Sequence, residues 1–351
     1  MRSLGNSLFQ AIENALSIDY EDLDIIVVDN GSSDGSADAI ENRFDSDVIL
    51  IRLSRNYGYA GGNEIGLRKY LAMRGFPDYL VVMNNDFIVK DSSVIKRVLR
   101  YIDTRRDIVI AQGITLQVNE RRIESMGILL DTMLQHRYRC QGLRLDECPE
   151  KISYVSYALG NFMLVKLKPV LKIRGYLFKR EFFILWEETE LSLNMWTHGL
   201  KTVAVPEITG VHLGSQTLKR VMPLAWYAWG RNKYIVYRKI LSPYLRSRYF
   251  NMPIILEIAN MYRRIIQGEK GRSISRGFID GFIKGELTKT IRGSYEPLLI
   301  MPKGEQAVNY LLIYPLSQEL AMEYSYLTKL STLVIDDEKL RSSPRPFLVK
   351  I

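Results

Sequence analysis

The chain is poor in cysteine, holds only three histidines, and lacks any run of about 18 apolar residues. Two cysteines in 351 residues cannot form a disulfide scaffold. Without a long apolar run, no membrane-spanning helix is expected. No basic segment followed by an apolar one opens the chain, so a cleaved secretory leader is not expected. There is neither a Walker loop nor a complete G-x-G-x-x-G, which counts against the common phosphate-loop classes. Internal repeats and low-complexity tracts are also missing. Cys140 and Cys148, eight positions apart, fit no metal or redox spacing. Two free thiols in a reducing cytoplasm are the expectation.

What is present suits a chain that buries a core: 47% hydrophobic, 25% charged and 11% aromatic residues. At roughly 150 residues per domain, two domains are expected. The net charge of +9 is concentrated. Between Gly214 and Arg292 stand 16 Lys and Arg against four acidic residues, and the remainder is slightly acidic. A basic segment of this kind suits an anionic partner: membrane lipid, nucleic acid or a phosphorylated substrate.

The first 116 residues alternate between strand and helix patterns. Leu4, Leu8, Ile12 and Ala15 fall at helical spacing. Strands are expected at Asp24–Asp29, Val48–Leu53, Tyr79–Met83 and Ile108–Ala111, and helices at Ser36–Phe44 (with Ser36 as N-cap), Gly61–Met73 and Ser92–Ile102. Such alternation implies parallel βαβ units with helices on both faces. Further on, Phe182–Trp186 reads as a rigid strand end feeding a helix from Glu187 to about Thr197, with Gly199 just beyond it.

In such sheets the carboxyl ends of the strands form the ligand crevice. Three polar clusters fall there: Asp29-Asn-Gly-Ser-Ser-Asp34, Asn56-Tyr-Gly58 and Asn84-Asn-Asp86. A carboxylate at Asp86 can hold a divalent cation, though a plain turn closing the strand would also use these residues. Glu187, Glu188 and Glu190 crowd a helix start, where the macrodipole favours carboxylates with or without chemistry. The functional reading is a general base. His212, between Val211 and Leu213, reads by itself as a core histidine, and His136 and His198 as structural or exposed. Gly58, Gly61 and Gly62 allow close approach of backbone to a ligand.

Taken together and in order, these residues resemble the inverting family 2 glycosyltransferases of GT-A fold, especially their rhamnosyl- and galactofuranosyl-transferase-like branch. The match covers about residues 5–240. Val27–Ser36 and Asn56–Asn63 resemble the family's two nucleotide-binding motifs, and Asn84-Asn-Asp86 stands at its metal motif. Gly160-Asn-Phe-Met-Leu164 resembles the acceptor-site strand, and Trp186-Glu-Glu-Thr-Glu190 the element holding the base. His212 stands where relatives place a histidine metal ligand. The resemblance implies an α/β, Rossmann-like, mostly parallel sheet over residues 1–215, a basic helical region over 216–295 and an α/β-like extension over 296–351.

It also implies residue roles. Asp29, Asn30, Ser33, Asp34, Asn56, Gly58, Gly62, Asn63 and Asn85 would line the nucleotide-sugar, a UDP- or dTDP-sugar. Asp86 and His212 would bind Mg²⁺ or Mn²⁺. Glu188 would be the base, with Glu187 and Glu190 orienting it or the acceptor, a saccharide or lipid-linked saccharide. Three departures stand out. Asn84 replaces a common Asp, and Glu replaces Asp at the base. The family's first strand, of the V-S-V-I-I-P-T-Y-N kind, has no counterpart after Met1. Either the chain starts further upstream, or another segment such as Asn309–Pro315 takes its place.

Between residues 214 and 292, Trp226, Tyr227, Trp229, Tyr234, Tyr237, Tyr244, Tyr249 and Tyr262 interleave with Arg and Lys. Rings and cations together suit an anionic membrane surface. A peripheral location on the inner face of the cell membrane is therefore expected, and nucleic acid is not, because no recognised module for it appears. The oligomeric state is open. The contrasting expectation is a non-catalytic nucleotide-sugar or glycan-binding subunit of a membrane-associated complex.

Overall fold

A computed structural model of the chain describes residues 2–131, 134–214, 222–243, 268–287, 297–301 and 348–350, with single positions between 254 and 295. The first half follows the expected alternation. Helix α1 (Arg2–Leu16) buries Ala11, Ile12 and Ala15. There follow β1 (Ile26–Asp29), α2 (Ser36–Phe44), β2 (Ile49–Arg52), α3 (Gly58–Arg74), β3 (Tyr79–Met83), β4 (Phe87–Val89), α4 (Val94–Ile102) and β5 (Ile108–Leu116). The cap of α2 differs from expectation. Gly35 at φ 81° turns the chain into the helix, and Ser36 is the first helical residue, its N–H held by Asp34 Oδ1 at 3.2 Å.

The second half brings β6 (Ile123–Ser125), β7 (Ile128–Leu130), β8 (His136–Tyr138), β9 (Ser153–Tyr154), β10 (Phe162–Lys166), α5 (Leu167–Arg174), α6 (Glu187–Thr197) and β11 (Lys201–His212). The main sheet runs β3-β10-β5-β11-β4, with β6 on β5 and β9 on β11. The α/β class is as expected, but the sheet is mixed. β11 is parallel to β5, whereas β10 lies antiparallel to β3 and β5, and β4 antiparallel to β11. No helix stands between β5 and β10, so no crossover turns β10 parallel. β1 and β2 form a separate parallel pair, and among the described residues no strand joins β1 to β3.

Phe182–Trp186 is not a strand. A short 3₁₀ turn (Arg180–Phe182) leads into irregular backbone, with Phe183, Leu185 and Trp186 at φ 61°, 69° and 75°. The run is apolar because the loop is buried: Phe182 is fully covered and Trp186 nearly so. Periodicity cannot separate a buried loop from a buried strand.

The cysteines also depart from expectation. Cys140 and Cys148 are joined in a disulfide. Left-handed turns at Cys140 (φ 59°) and Gly142 (φ 75°) fold the segment back, and the two Cα atoms come 5.8 Å apart, within bridging range.

One core cluster gathers Val165, Leu167, Phe178, Trp186 and Leu191. Helix α7 (Met222–Val236) and the π-helical turn Tyr237–Leu241 add Tyr234, Tyr237 and Ile240 to it. A second cluster packs Phe87, Val98, Ile102, Phe162 and Trp196 together. Helix α8 (Glu269–Leu287) lies on α7, with Phe278 against Tyr234 at 4.4 Å between ring centres. The last pair is β12 (Leu299–Met301) with β13 (Leu348–Lys350), parallel. Asn309–Pro315 and the rings of Tyr244, Tyr249 and Tyr262 lie outside the described residues. No helix among the described residues is long and apolar enough to cross a membrane.

Candidate functional site

The two expected nucleotide-binding segments meet at the start of α3. Asn30 is the joint: its amide donates to the Gly58 carbonyl (2.8 Å) and its Oδ1 accepts from the Tyr57 N–H (2.9 Å). Asp29 closes its own loop by accepting from the Ser32 N–H. Asn56 Oδ1 accepts from the Gly58 N–H at 2.8 Å, and Asn63 reaches back to the Tyr59 carbonyl at 2.9 Å. Gly58 sits at φ 74°, and a Cβ there would overlap the Phe183 carbonyl, so the residue must be glycine. Gly62 lies against the Asn30 side chain. Ser33 and Asn85 are exposed on the loops that follow β1 and β3.

Asp86 lies in the turn between β3 and β4, where the Phe87 N–H bonds the Asn84 carbonyl (3.2 Å). The turn reading therefore holds. Residue 86 is tied to the end of β11 by the Leu213 N–H on the Asp86 carbonyl (2.8 Å) and by the pairing of Phe87 with His212. This places His212 Nε2 3.4 Å from Asp86 Oδ1. On its other side, His212 Nδ1 lies 2.9 Å from Glu124 Oε1. Burial lowers the His212 pKa, but Asp86 and Glu124 outweigh it and lift it to about 10. His212 Nε2 is buried and has no hydrogen-bond partner. An orphaned imidazole nitrogen beside one hard carboxylate oxygen fits a divalent cation, which would displace the ring proton.

The acids of α6 divide into different environments. Glu188 Oε1 accepts the Gly160 N–H (3.2 Å). Tyr59 donates to the carbonyl of the same Gly160 (3.0 Å). Asn161 next door accepts the Asn84 N–H (3.1 Å), which ties this strand end to the Asp86 turn. A Cβ at Gly160 would overlap the Tyr59 hydroxyl and come 2.7 Å from Glu188 Oε1. The Tyr59 pKa is raised well above the usual tyrosine value by burial, with Glu188, Glu187 and Asp86 each adding to the shift.

Burial pushes Glu188 up to about 7, against the pull of its backbone donors. Glu187 is raised further by burial and by the adjacent Glu188 charge, and its Oε2 is buried without a partner. Two such neighbours resist ionising together. The Gly160 donor favours charge on Glu188, so Glu187 is the one that stays neutral. Glu190 stands apart. Arg174 takes one carboxylate oxygen and Lys239 the other, all three side chains being buried. That pairing holds Glu190 ionised and lowers its pKa despite burial.

Four residues around the site carry no sequence signal of their own. Tyr59 and Gly160 sit inside recognisable motifs without a stated role. Glu124 is one acid in a polar stretch. Asn232, on α7, is fully buried and donates to the carbonyls of Phe182 (2.8 Å), Ile184 (2.9 Å) and Leu185 (2.8 Å). It therefore clamps the left-handed loop that leads into Glu187 and Glu188. The Trp186 ring packs edge-on against His136 (4.6 Å) and Trp229 (5.7 Å), while Tyr157 hydrogen-bonds His136. Burial lowers the His136 pKa to about 3, so this histidine is a neutral packing residue. His198 caps the end of α6 on the Asn194 carbonyl.

Carboxylates and a histidine thus gather near strand ends, and the polar loops after β1 and β2 meet at the start of α3. Residues 5–165 match the profile of the family described as Glycosyl transferase family 2. No curated protein sequence matches the chain. Among solved structures, the chain is similar to GalNAc-T7 with UDP, GalNAc and Mn²⁺, at 14% identity and a TM-score of 0.41. That likeness covers 61% of this chain and only 43% of GalNAc-T7. It is also similar to the mannosyltransferase PcManGT of Pyrobaculum calidifontis in complex with GDP-Man and Mn²⁺, at 12% identity and a TM-score of 0.47, over 93% of this chain and 81% of that one.

Proposed function

We propose that the chain transfers a sugar from a nucleotide-sugar to an acceptor hydroxyl with inversion, using Glu188 as the general base. One observation carries the reading: Glu188, pushed up to about 7 by burial, holds the Gly160 N–H at the strand end whose next residue, Asn161, is bonded to the Asp86 turn through Asn84. A base works best with a pKa near the working pH, and such a group contributes about 10²–10⁴-fold in rate. Glu188 takes the acceptor proton as its oxygen bonds the anomeric carbon, and the bond to the nucleoside diphosphate breaks. Asp29, Asn30, Ser33, Asp34, Asn56, Gly58, Gly62, Asn63 and Asn85 line the donor, a UDP- or dTDP-sugar. Neutral Glu187 is placed to donate to the acceptor or to Glu188.

Asp86 and His212 are the residues that would hold Mg²⁺ or Mn²⁺. When bound, such a cation acts as a Lewis acid that offsets charge on the departing diphosphate. Glu190 is too deeply paired to meet substrate, and its role in this reading is to fix α6. The acceptor is a saccharide or lipid-linked saccharide, at an anionic membrane surface. The surface support is the face of α8 that exposes Arg272, Arg276, Ile279 and Ile283, spaced to lie in one row. Tyr234 and Tyr237 do not contribute to it, since both are core residues.

The test is incubation with a panel of nucleotide-sugars and saccharide acceptors, with product anomers read by NMR. A product of opposite anomeric configuration to the donor supports the proposal. Retention of configuration, or donor binding with no transfer across the panel, overturns it, the latter in favour of a binding subunit.

A further inference from the structure

The proposed cation site leaves one contact unused. Strand β6 pairs with β5 through Thr115–Ser125 and Leu116–Ile123, and β5 pairs on its other edge with β11 through Leu116–Val211. Glu124 and His212 are therefore brought together by three adjacent strands. Glu124 is pinned on both sides. Ile123 is bonded through its N–H to the Leu143 carbonyl (2.9 Å) and through its carbonyl to the Gly142 N–H (2.8 Å). Those residues belong to the segment closed by the Cys140–Cys148 disulfide. Ser125 Oγ donates to the Gly127 carbonyl (3.3 Å). Both Glu124 oxygens lie on His212 Nδ1, at 2.9 and 3.2 Å. Among the described residues, Glu124 has no other hydrogen-bond partner.

We propose that Glu124 is a positioning residue for the cation site: it holds the His212 ring through Nδ1–H, so that Nε2 presents its lone pair beside Asp86. This rests on the reading of Asp86 and His212 as cation ligands. A histidine that binds a metal through one nitrogen commonly donates the other N–H to a carboxylate, which fixes ring rotation and tautomer. Here the ring has a carboxylate on Nδ1, and its Nε2, buried and making no hydrogen bond, lies 3.4 Å from the Asp86 carboxylate, where a cation would displace the ring proton.

The experiment measures Mn²⁺ binding by the full chain with titration calorimetry, beside thermal unfolding without metal. Glu124→Ala is expected to weaken Mn²⁺ binding roughly 10–100-fold, the usual loss for such partners. Glu124→Gln, whose carbonyl oxygen still accepts Nδ1–H, recovers most of it. His212→Ala abolishes the high-affinity site. Mn²⁺ affinity within twofold of the parent in Glu124→Ala overturns the proposal and leaves the site reading intact. Should the alanine variant fail to fold, Glu124→Gln with no better affinity than His212→Ala overturns it too. A parent chain that binds no Mn²⁺ overturns the cation site itself, and this proposal with it.

Discussion

Gly160 shows how tightly the base is placed. Its backbone serves both neighbours, accepting from Tyr59 and donating to Glu188, and it leaves no room for a side chain between them. Gly160→Ala should displace the Tyr59 hydroxyl or the Glu188 carboxylate and lower kcat at least tenfold while the fold survives. Steady-state kinetics alongside circular dichroism would check this; unchanged kcat contradicts the placement. Glu188 also sets the pH dependence. The rate should fall as pH drops through about 7, because the base loses its negative charge there. Stability runs the other way. With the folded pKa raised, the native state binds more protons than the unfolded chain, so stability is greatest below the ordinary value and declines as pH rises toward 7. Profiles of kcat and of thermal midpoint against pH would show opposite trends, and an acid limb near 4.5 would contradict the assignment.

At the scale of elements, the loop before α6 matters most. Three non-glycine residues with positive φ within four positions are unfavourable, each costing about 1–3 kcal/mol, and persist only when surroundings enforce them. Asn232 and the aromatic cluster around Trp186 enforce them here. Asn232→Ala removes the amide that bonds the Ile184 and Leu185 carbonyls, while the Phe182 carbonyl keeps the Ile184 N–H and Arg231. It should destabilise the protein by about 1–3 kcal/mol and reduce kcat more than KM, since the loop positions the base and not the donor. Thermal melts with kinetics read this directly; an equal kcat contradicts the clamp. This element also shows where sequence reasoning reaches its limit. Periodicity and end residues marked α2, β3 and α6 correctly, because their patterns are local. The loop at 183–186 mimics a strand because burial, not backbone form, sets its composition. Asn232 is silent in the sequence, since its role depends on packing across about 50 positions. The antiparallel entry of β10 and the 140–148 bridge are likewise products of tertiary geometry. Motif order nominated Asp86, Glu188 and His212 for the candidate site. Glu124 was not among them, because a single acid on a short edge strand carries no pattern.

For the whole molecule, the basic C-terminal helices do two things. Helix α7 supplies the clamp on the loop before α6 and part of the main core, so this region and the candidate site are physically continuous. Helix α8 turns a row of arginine and isoleucine outward. On the proposed surface reading, electrostatic attraction of about 1 kcal/mol per basic residue near anionic lipid, with modest apolar insertion, would give reversible attachment. The full chain should float with anionic vesicles at low salt and be released at high salt or by Arg272→Glu with Arg276→Glu. Equal flotation with neutral vesicles, or none at all, contradicts the surface reading.

The central claim is that Glu188 removes the acceptor proton at a site that also holds the donor. Single-turnover transfer by Glu188→Gln, measured with donor affinity in the same preparation, tests it most directly. The account predicts a loss of about 10²–10⁴-fold in the transfer rate with donor affinity changed by less than a few fold. Transfer at the parental rate would contradict it.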